Sequence, residues 1–242
     1  MLITVEARNM SFKLAVFDVD GTLAEIHRPA KLEVSRKLRG LEKLGAKIVL
    51  ASGKNVSYLL GFARGIGVKP VFVIAESGCL VFDVEKAELK KMVEMTQEMT
   101  IIKNEALEQF GESVWLHPNE VQLTIVPKDH KKIPSIASYV HKATEPFKDE
   151  LAVIVHEDAI DVLPAEIDKG KALLEVLKIL RMSKDEVVAI GDSSNDVPMF
   201  RNAGQSIIIG NNPIAHHGAK RFSDISEALD YLKDVFGALN MS

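Results

Sequence analysis

The chain has 242 residues, of which 47% are hydrophobic and 26% charged, so it can form one large domain or a core with a smaller inserted unit. Its 30 basic and 34 acidic side chains give a net charge of -4, which provides no basic field for binding nucleic acid or anionic membranes. Cys79 is the only cysteine, so no internal disulfide can form. A reducing cytoplasm is therefore the expected compartment.

The N-terminal stretch gives no sign of a targeting or membrane segment. Glu6 and Arg8 interrupt the basic-then-apolar order of a signal peptide. No apolar run in the sequence approaches the ~20 residues of a membrane span. Leu2 to Val5 could add an edge strand, and Met10 is an alternative start to Met1.

Two separate parts of the chain alternate apolar strands with amphipathic helices. Short apolar runs predict buried strands, and apolar residues at helical spacing predict the helices between them. Such alternation indicates a parallel sheet with right-handed crossovers. In the first part the strands are 14–17, 47–51 and 71–74, and the helices are 32–44 and 56–65. In the second part the strands are 186–190 and 206–209, and the helices are 170–180, 197–203 and 225–238.

The alternation stops after Asp83 and resumes at Asp168. The intervening order, helix, strand pair, helix, strand pair, is typical of an α+β unit. We therefore predict an α/β protein: a doubly wound parallel sheet formed by 1–83 and 166–242, with an inserted α+β cap at 84–165. The cap helices are predicted over 88–110 and 133–147, and its strands over 114–117, 121–126, 152–156 and 160–163.

Acidic residues follow two of the predicted core strands. Asp18 and Asp20 come after the first strand, and Asp192 and Asp196 after the strand that ends at Ile190. The carboxyl ends of parallel strands form one crevice, so these carboxylates are expected to converge, where they would repel one another without a cation. Oxygen ligands with no Cys or His favour Mg²⁺ over Zn²⁺.

Phosphate-binding groups are expected in the same crevice. The Ser52 hydroxyl and the Gly53 amide can donate hydrogen bonds to phosphate oxygens, and Lys169 adds positive charge. Together with a carboxylate nucleophile and a metal ion, these groups are the parts needed to transfer a phosphoryl group through an aspartyl-phosphate.

The motifs resemble those of a known superfamily. The segments Asp18-Val19-Asp20-Gly21-Thr22, Ser52-Gly53, Lys169 and Gly191-Asp192-x-x-Asn195-Asp196 resemble the four motifs of the haloacid dehalogenase superfamily, in that family's order. The position of the insertion, between the second and third motifs, resembles the Cof-type branch with a C2 cap. A cap of two helix-hairpin units is similar to that of the archaeal-type phosphoglycolate phosphatases. Ser77, where many relatives have Asn, and Ser52, where Thr is commoner, depart from the pattern.

The resemblance implies a role for each motif residue. Asp18 would be the nucleophile and a Mg²⁺ ligand. Asp20 would protonate the leaving oxygen, then deprotonate the attacking water, and its backbone carbonyl would bind the metal. Asp192 would bind Mg²⁺ directly, and Asp196 directly or through water. The residues that would bind the substrate phosphate are Ser52, Gly53, Lys169 and Asn195.

The leading hypothesis is a Mg²⁺-dependent phosphatase that acts on a small organic phosphate, 2-phosphoglycolate or a sugar phosphate. A sugar-phosphate mutase or phosphotransferase is the alternative, because the same aspartyl-phosphate serves both reactions. A phospho-accepting signalling domain shares the sheet, the acids and the lysine, but is shorter and lacks an inserted cap. We expect a small phosphorylated metabolite as partner, no nucleic acid or membrane, and a monomer or homodimer.

The cap strand 121–126 is expected to alternate its faces. Val121, Leu123 and Ile125 would pack against the cap helices, which leaves Gln122 and Thr124 toward the crevice. Three further polar residues lie on cap strands that could face a substrate: His117, His156 and Asp161.

Overall fold

The computed structural model describes residues 12–238. Met1, Met10 and the possible edge strand from Leu2 to Val5 lie outside the described residues. The strands are β1 (Leu14–Phe17), β2 (Lys47–Ala51), β3 (Phe72–Ala75), β4 (Leu80–Asp83), β5 (Glu88–Lys91), β6 (Val114–Leu116), β7 (Leu123–Pro127), β8 (Leu151–Val155), β9 (Ile160–Pro164), β10 (Val187–Gly191), β11 (Gln205–Ile209) and β12 (Lys220–Phe222). The helices are α1 (Leu32–Lys43), α2 (Val56–Ile66), α3 (Gln97–Phe110), α4 (Ile133–Thr144), α5 (Lys169–Leu180), α6 (Val197–Phe200) and α7 (Ile225–Ala238).

The larger sheet has the strand order β12-β11-β10-β1-β2-β3-β4-β5. The strands from β12 to β3 pair in parallel, and β4 and β5 add an antiparallel edge. Phe17, the last residue of β1, lies between Ile190 of β10 and Leu50 of β2. The first acidic motif therefore emerges beside the second one. The predicted α/β class is confirmed.

Both faces of the larger sheet are covered by helices. Ala15 and Phe17 of β1 face one apolar cluster, which includes Leu38 of α1 and Leu229 of α7. The alternate residues of β1 face a second cluster, which includes Leu173 of α5. Each fully buried Leu or Phe contributes about 1.5–3 kcal/mol to the stability of the folded state. A strand buried on both faces therefore requires an apolar run of this kind.

The second sheet has the order β6-β7-β9-β8 and is antiparallel throughout. Leu123 and Ile125 of β7 pack in one cluster with Met99 of α3 and Ile136 and Val140 of α4. One face of this sheet is therefore covered by the two helices, as predicted for an α+β cap. No helix among residues 12–238 is long and apolar enough to cross a membrane.

Two predictions for the cap region are wrong. Residues 88–91 form β5 rather than the start of a helix, because the turn at Ala87, where φ is 55°, folds them back onto β4. The exposed charged residues of β5 suit a sheet edge. Val121 packs in a core cluster with Leu163 instead of against the cap helices. The larger sheet thus continues past the predicted boundary at residue 83, and the division into core and cap stays a prediction.

Candidate active site

The first acidic motif begins where β1 ends. The Asp18 amide still donates to Ile190 O of β10 at 2.9 Å, so the sheet fixes the position of this carboxylate. The chain then turns at Gly21, whose φ is +86°. A Cβ at Gly21 would overlap the Asp192 carboxylate, so glycine allows the two acidic loops to approach.

Lys169 lies between two buried carboxylates. Its Nζ donates to Asp18 Oδ1 and to Asp196 Oδ1, both at 2.7 Å, and lies 3.5 Å from Asn195 Oδ1. Burial alone would lower the pKa of Lys169, but the charges of Asp18 and Asp196 raise it above its usual value. The lysine therefore stays protonated and supplies a fixed positive charge.

The second acidic loop is organised by Asp196. Its Oδ2 accepts from the backbone amides of Asp192 and Ser193 at 3.0 and 3.1 Å. The Asp192 carboxylate accepts from Thr22 Oγ1 at 3.1 Å, which ties the two acidic loops together. Burial, followed by the charge of Asp196, raises the pKa of Asp192.

Three of these carboxylates fit a metal ion. Asp18, Asp192 and Asp196 each offer an oxygen, and these oxygens lie within 4.8 Å of one another. Asp18 Oδ2 is buried and has no hydrogen-bond partner among the described residues. Burial, with the charges of Asp196 and Asp192, raises the pKa of Asp18 to about 8 despite Lys169. A cation would relieve the repulsion, and an all-carboxylate donor set suits a hard divalent ion.

Asp20 lies apart from that group, on the side of the crevice that is formed by Ser52, Gly53 and Lys54. Its Oδ2 is 3.5 Å from Ser52 Oγ and 3.9 Å from Lys54 Nζ. Ser52 Oγ in turn accepts from the Lys54 amide at 3.3 Å. Ser52, Gly53 and Lys54 therefore form one loop beside the Asp20 carboxylate, and we call it the phosphate loop after the ligand expected there.

The crevice is covered by a hydrogen-bonded surface on β7, on β9 and directly before β7, which we call the roof; it is formed by Gln122, Thr124 and Asp161. Thr124 Oγ1 accepts from Gln122 Nε2 at 2.8 Å and donates to Asp161 Oδ1 at 2.6 Å. Asp161 Oδ2 lies 2.9 Å from His156 Nε2. The hydrogen bond to Asp161 raises the pKa of His156, whereas burial and then the charge of Lys54 lower that of His117.

A cavity of about 250 Å³ lies between the roof and the acidic loops, and we call it the catalytic cavity. Its walls bring together predicted residues from both parts of the chain. A separate groove of about 630 Å³ runs past Thr22 and Ser223 but contains only Asp192 of the acidic cluster. The predicted site residues that line the catalytic cavity are Asp18, Asp20, Ser52, Gly53, Lys169, Asp192 and Asn195, with His117, Thr124, His156 and Asp161 from the cap.

Two contributors were missed in the sequence. Lys54 lines the catalytic cavity, and its position directly after Ser52 and Gly53 was the available signal. Glu76 is fully buried and accepts hydrogen bonds from backbone amides of the cap. No sequence pattern distinguishes such a residue from a solvated acid at a strand end.

Comparisons with known proteins bear on the family of the chain. A model of the haloacid dehalogenase-like hydrolase family matches residues 15–153 and 121–224. The phosphoglycolate phosphatase of Pyrobaculum neutrophilum is 32% identical over 215 residues, which cover 88% of this chain and 87% of that protein. The phosphoglycolate phosphatase of Methanosarcina mazei is 30% identical over 205 residues, covering 84% and 85%.

Solved structures share the fold. A haloacid dehalogenase-like hydrolase from Bacteroides thetaiotaomicron has a TM-score of 0.76 at 19% identity, and the match covers 91% of this chain and 99% of that one. A protein from Thermoplasma acidophilum has a TM-score of 0.73 at 20% identity, covering 96% and 99%. The predictions of the superfamily and of a phosphatase-type enzyme are confirmed by the family match and the curated relatives. The chain belongs to the haloacid dehalogenase-like hydrolases.

Proposed function

We propose that this protein is a Mg²⁺-dependent phosphatase that hydrolyses a small phosphate monoester through an aspartyl-phosphate on Asp18. The observation that carries the proposal is the environment of the Asp18 carboxylate. One oxygen accepts from Lys169 at 2.7 Å, and the other is buried without a hydrogen-bond partner in the described part of the chain. Asp18 also lines the catalytic cavity. An oxygen that is desolvated, oriented and unpaired is suited to attack phosphorus.

In the first step Asp18 would form a bond to phosphorus while the bond from phosphorus to the ester oxygen breaks. Asp20 would donate its proton to that leaving oxygen, and would then accept a proton from the water that cleaves the aspartyl-phosphate. The half-exposed position of Asp20 beside Ser52 supports this role. The products are an alcohol, inorganic phosphate and the regenerated Asp18.

The transferring phosphoryl group would be bound on its other sides by Ser52, the Gly53 amide, Lys169 and Asn195. Lys169 would offset negative charge that otherwise repels an anionic nucleophile. When bound, Mg²⁺ would supply further charge neutralisation at the phosphoryl oxygens. We propose that Asp18, Asp192 and the Asp20 carbonyl hold the ion. Asp196 would act through water, because its oxygens already accept from Lys169 and two backbone amides.

The size of the catalytic cavity supports a small substrate. Its volume of about 250 Å³ lies just below the roughly 300–1,000 Å³ of drug-sized ligand sites. The names of the relatives make 2-phosphoglycolate the first substrate to test, and sugar phosphates the second.

A hydrolysis screen tests the proposal. The wild-type protein with Mg²⁺ is incubated with a panel of small phosphometabolites, and released inorganic phosphate is measured, with Asp18→Asn as the control for contaminating phosphatases. We expect release from at least one member of the panel and none from the variant. Equal release by both proteins, or none by the wild type, would refute the proposal.

A further inference from the structure

We infer that Glu76, a core residue outside the acidic motifs, is the positioning residue that holds the roof over the phosphate loop. Glu76 follows β3 and is fully buried. Its Oε1 accepts from the Glu120 amide at 2.9 Å, and its Oε2 accepts from the amides of Val121 and Gln122 at 2.8 and 3.0 Å. One core carboxylate thus receives three consecutive backbone donors of the cap.

No ion pair to Glu76 is found within residues 12–238, so backbone amides are what compensates this buried charge. Three charge-assisted hydrogen bonds of normal length are a strong set for one carboxylate. Removing their acceptor would leave amides buried without a partner, which is costly. The contact is therefore a fixed attachment of cap to core.

Glu76 is joined to the phosphate loop by its own backbone. Its amide donates to Lys54 O at 3.0 Å, and the Ser77 amide donates to Ser52 O at 3.1 Å. The remaining carbonyl of this loop, that of Gly53, accepts from Gln122 Nε2 at 3.2 Å. The turn at Glu76 and Ser77 therefore fixes the position of the phosphate loop through its backbone amides. The Glu76 carboxylate fixes the position of the roof.

The roof follows directly from this attachment. Gln122 is held by its amide, and its side chain donates to Thr124, which donates to Asp161. The roof touches the phosphate loop through the hydrogen bond from Gln122 to Gly53 O, and a Cβ on Gly53 would lie only 3.5 Å from Asp161 Oδ2. A displacement at Glu76 would change the distance between the roof and the phosphate site, while Asp18 and Lys169 stay fixed by the sheet and α5.

The expected effect on KM rests on the proposed function, whereas the attachment of residues 120–122 to Glu76 rests on geometry alone. A glutamine side chain at position 76 would have one acceptor oxygen instead of two. Its NH₂ group would face at least one backbone N–H, so at least one of the three hydrogen bonds would be lost. We expect Glu76→Gln to raise KM for the preferred small phosphate by about tenfold or more, the loss of one charge-assisted hydrogen bond. Affinity for inorganic phosphate, a competitive inhibitor that fills only the phosphate site, and kcat should each change less than about threefold.

The control is Glu120→Gln, because the Glu120 side chain forms an exposed ion pair with Lys91, and its amide can still donate to Glu76 in the variant. Hydrogen exchange of the amides at 120–122, measured on the full chain, gives a readout independent of activity. We expect exchange about tenfold faster or more in Glu76→Gln and unchanged in Glu120→Gln. Should Glu76→Gln fail to fold, Glu76→Asp keeps the charge but shortens the reach, and the same pattern is expected.

Two results would overturn the inference. The first is unchanged exchange at 120–122 in a folded Glu76 variant. The second is a loss of phosphate affinity as large as the rise in KM, which would indicate general damage to the site. If the wild type hydrolyses no phosphate monoester, the proposed function fails, and the exchange measurement still decides the role of Glu76.

Discussion

Lys169 comes 151 positions after Asp18 in the chain, yet its Nζ lies 2.7 Å from Asp18 Oδ1. Both side chains are buried, and Lys169 is the first residue of α5, where the chain returns from the cap. Asp168 caps this helix by accepting from the Lys171 amide at 2.8 Å. The capped helix start thus places the Lys169 ammonium between two buried carboxylates.

Replacing that lysine should therefore cost both stability and activity. Lys169→Met removes the donor to Asp18 and the counter-charge of Asp196, and breaking a buried pair from one side costs about 3–5 kcal/mol. We expect a drop of this order in the free energy of unfolding at pH 7 without added metal, measured by urea denaturation. Lys178→Met, on the exposed face of α5, is the control and should change it little. Equal stability of the two variants would contradict the role of Lys169.

Much of the core could be predicted from the sequence because its strands are short apolar runs followed by polar residues. Residues 14–17, 47–51 and 225–238 form the predicted elements with the predicted bounds. Burial on both faces leaves these strands little alternative, and the acids after them then have to meet at one edge of the sheet. The grouping of Asp18, Asp192 and Asp196 follows from that topology.

What could not be predicted depends on contacts between distant parts of the chain. The segment Glu88-Leu89-Lys90-Lys91 has helix-forming residues, but pairing with β4 makes it a strand. Val121 continues the apolar alternation of β7, yet it packs in the core cluster with Leu163, and its amide donates to Glu76. Neither partner is visible in the local pattern.

Asp20→Asn should affect substrates according to their leaving groups. If Asp20 protonates the leaving oxygen, its loss should slow hydrolysis of an alkyl phosphate by about 10²–10⁴-fold. An aryl phosphate with a good leaving group, such as p-nitrophenyl phosphate, needs little protonation and should be slowed much less in the same step. Rapid-quench measurement of alcohol release for both substrates tests this. An equal loss for the two would show that Asp20 acts elsewhere in the reaction.

Metal binding should be measurable without turnover. We expect Mg²⁺ at about 100-fold above its Kd to raise Tm by about 5–10 °C, because it binds the folded carboxylate cluster only. Asp192→Asn should lose this shift, whereas Asp149→Asn, an exposed change in the cap, should keep it.

Activity should also depend on the metal ion. It should disappear in chelator and return with Mg²⁺, but Ca²⁺ should support it poorly because Ca²⁺ takes more ligands at longer distances. Full activity in chelator would contradict the metal site.

The His156–Asp161 pair should make cap stability depend on pH. The hydrogen bond that His156 donates to Asp161 raises the pKa of His156 above its usual 6.5, although burial and the charge of Lys54 oppose the shift. Below the pKa that His156 has in the unfolded protein, the pair therefore makes its full contribution to stability. This contribution is lost as the pH rises through the pKa that His156 has in the folded protein. The Tm difference between wild type and His156→Gln should be largest at about pH 6 and shrink at higher pH. His141→Gln, an exposed change on α4, is the control. If the Tm difference grew with pH, folding would lower the pKa of His156 instead of raising it, and the prediction would be wrong.

The last prediction concerns which phosphates can enter. The roof closes the catalytic cavity from above, and the cap meets the core again at its rim, where His27 Nε2 lies 3.2 Å from Asp158 Oδ2. A phosphorylated protein side chain would have to bring its flanking backbone past both contacts. We expect a cavity of about 250 Å³ to accept a short carboxylated or hydroxylated phosphate with both contacts in place.

We therefore expect kcat/KM for small phosphometabolites to exceed that for phosphopeptides by at least about 100-fold, the effect of excluding a substrate from a productive position. The measurement compares 2-phosphoglycolate and a sugar phosphate with phosphoserine and phosphotyrosine peptides under the same Mg²⁺ concentration. Free phosphoserine is the matched control, since it carries the same phosphate ester without flanking residues. Because the roof excludes by size, phosphoserine should be hydrolysed better than its peptide. If the peptide were the better substrate, the roof would not limit access to Asp18.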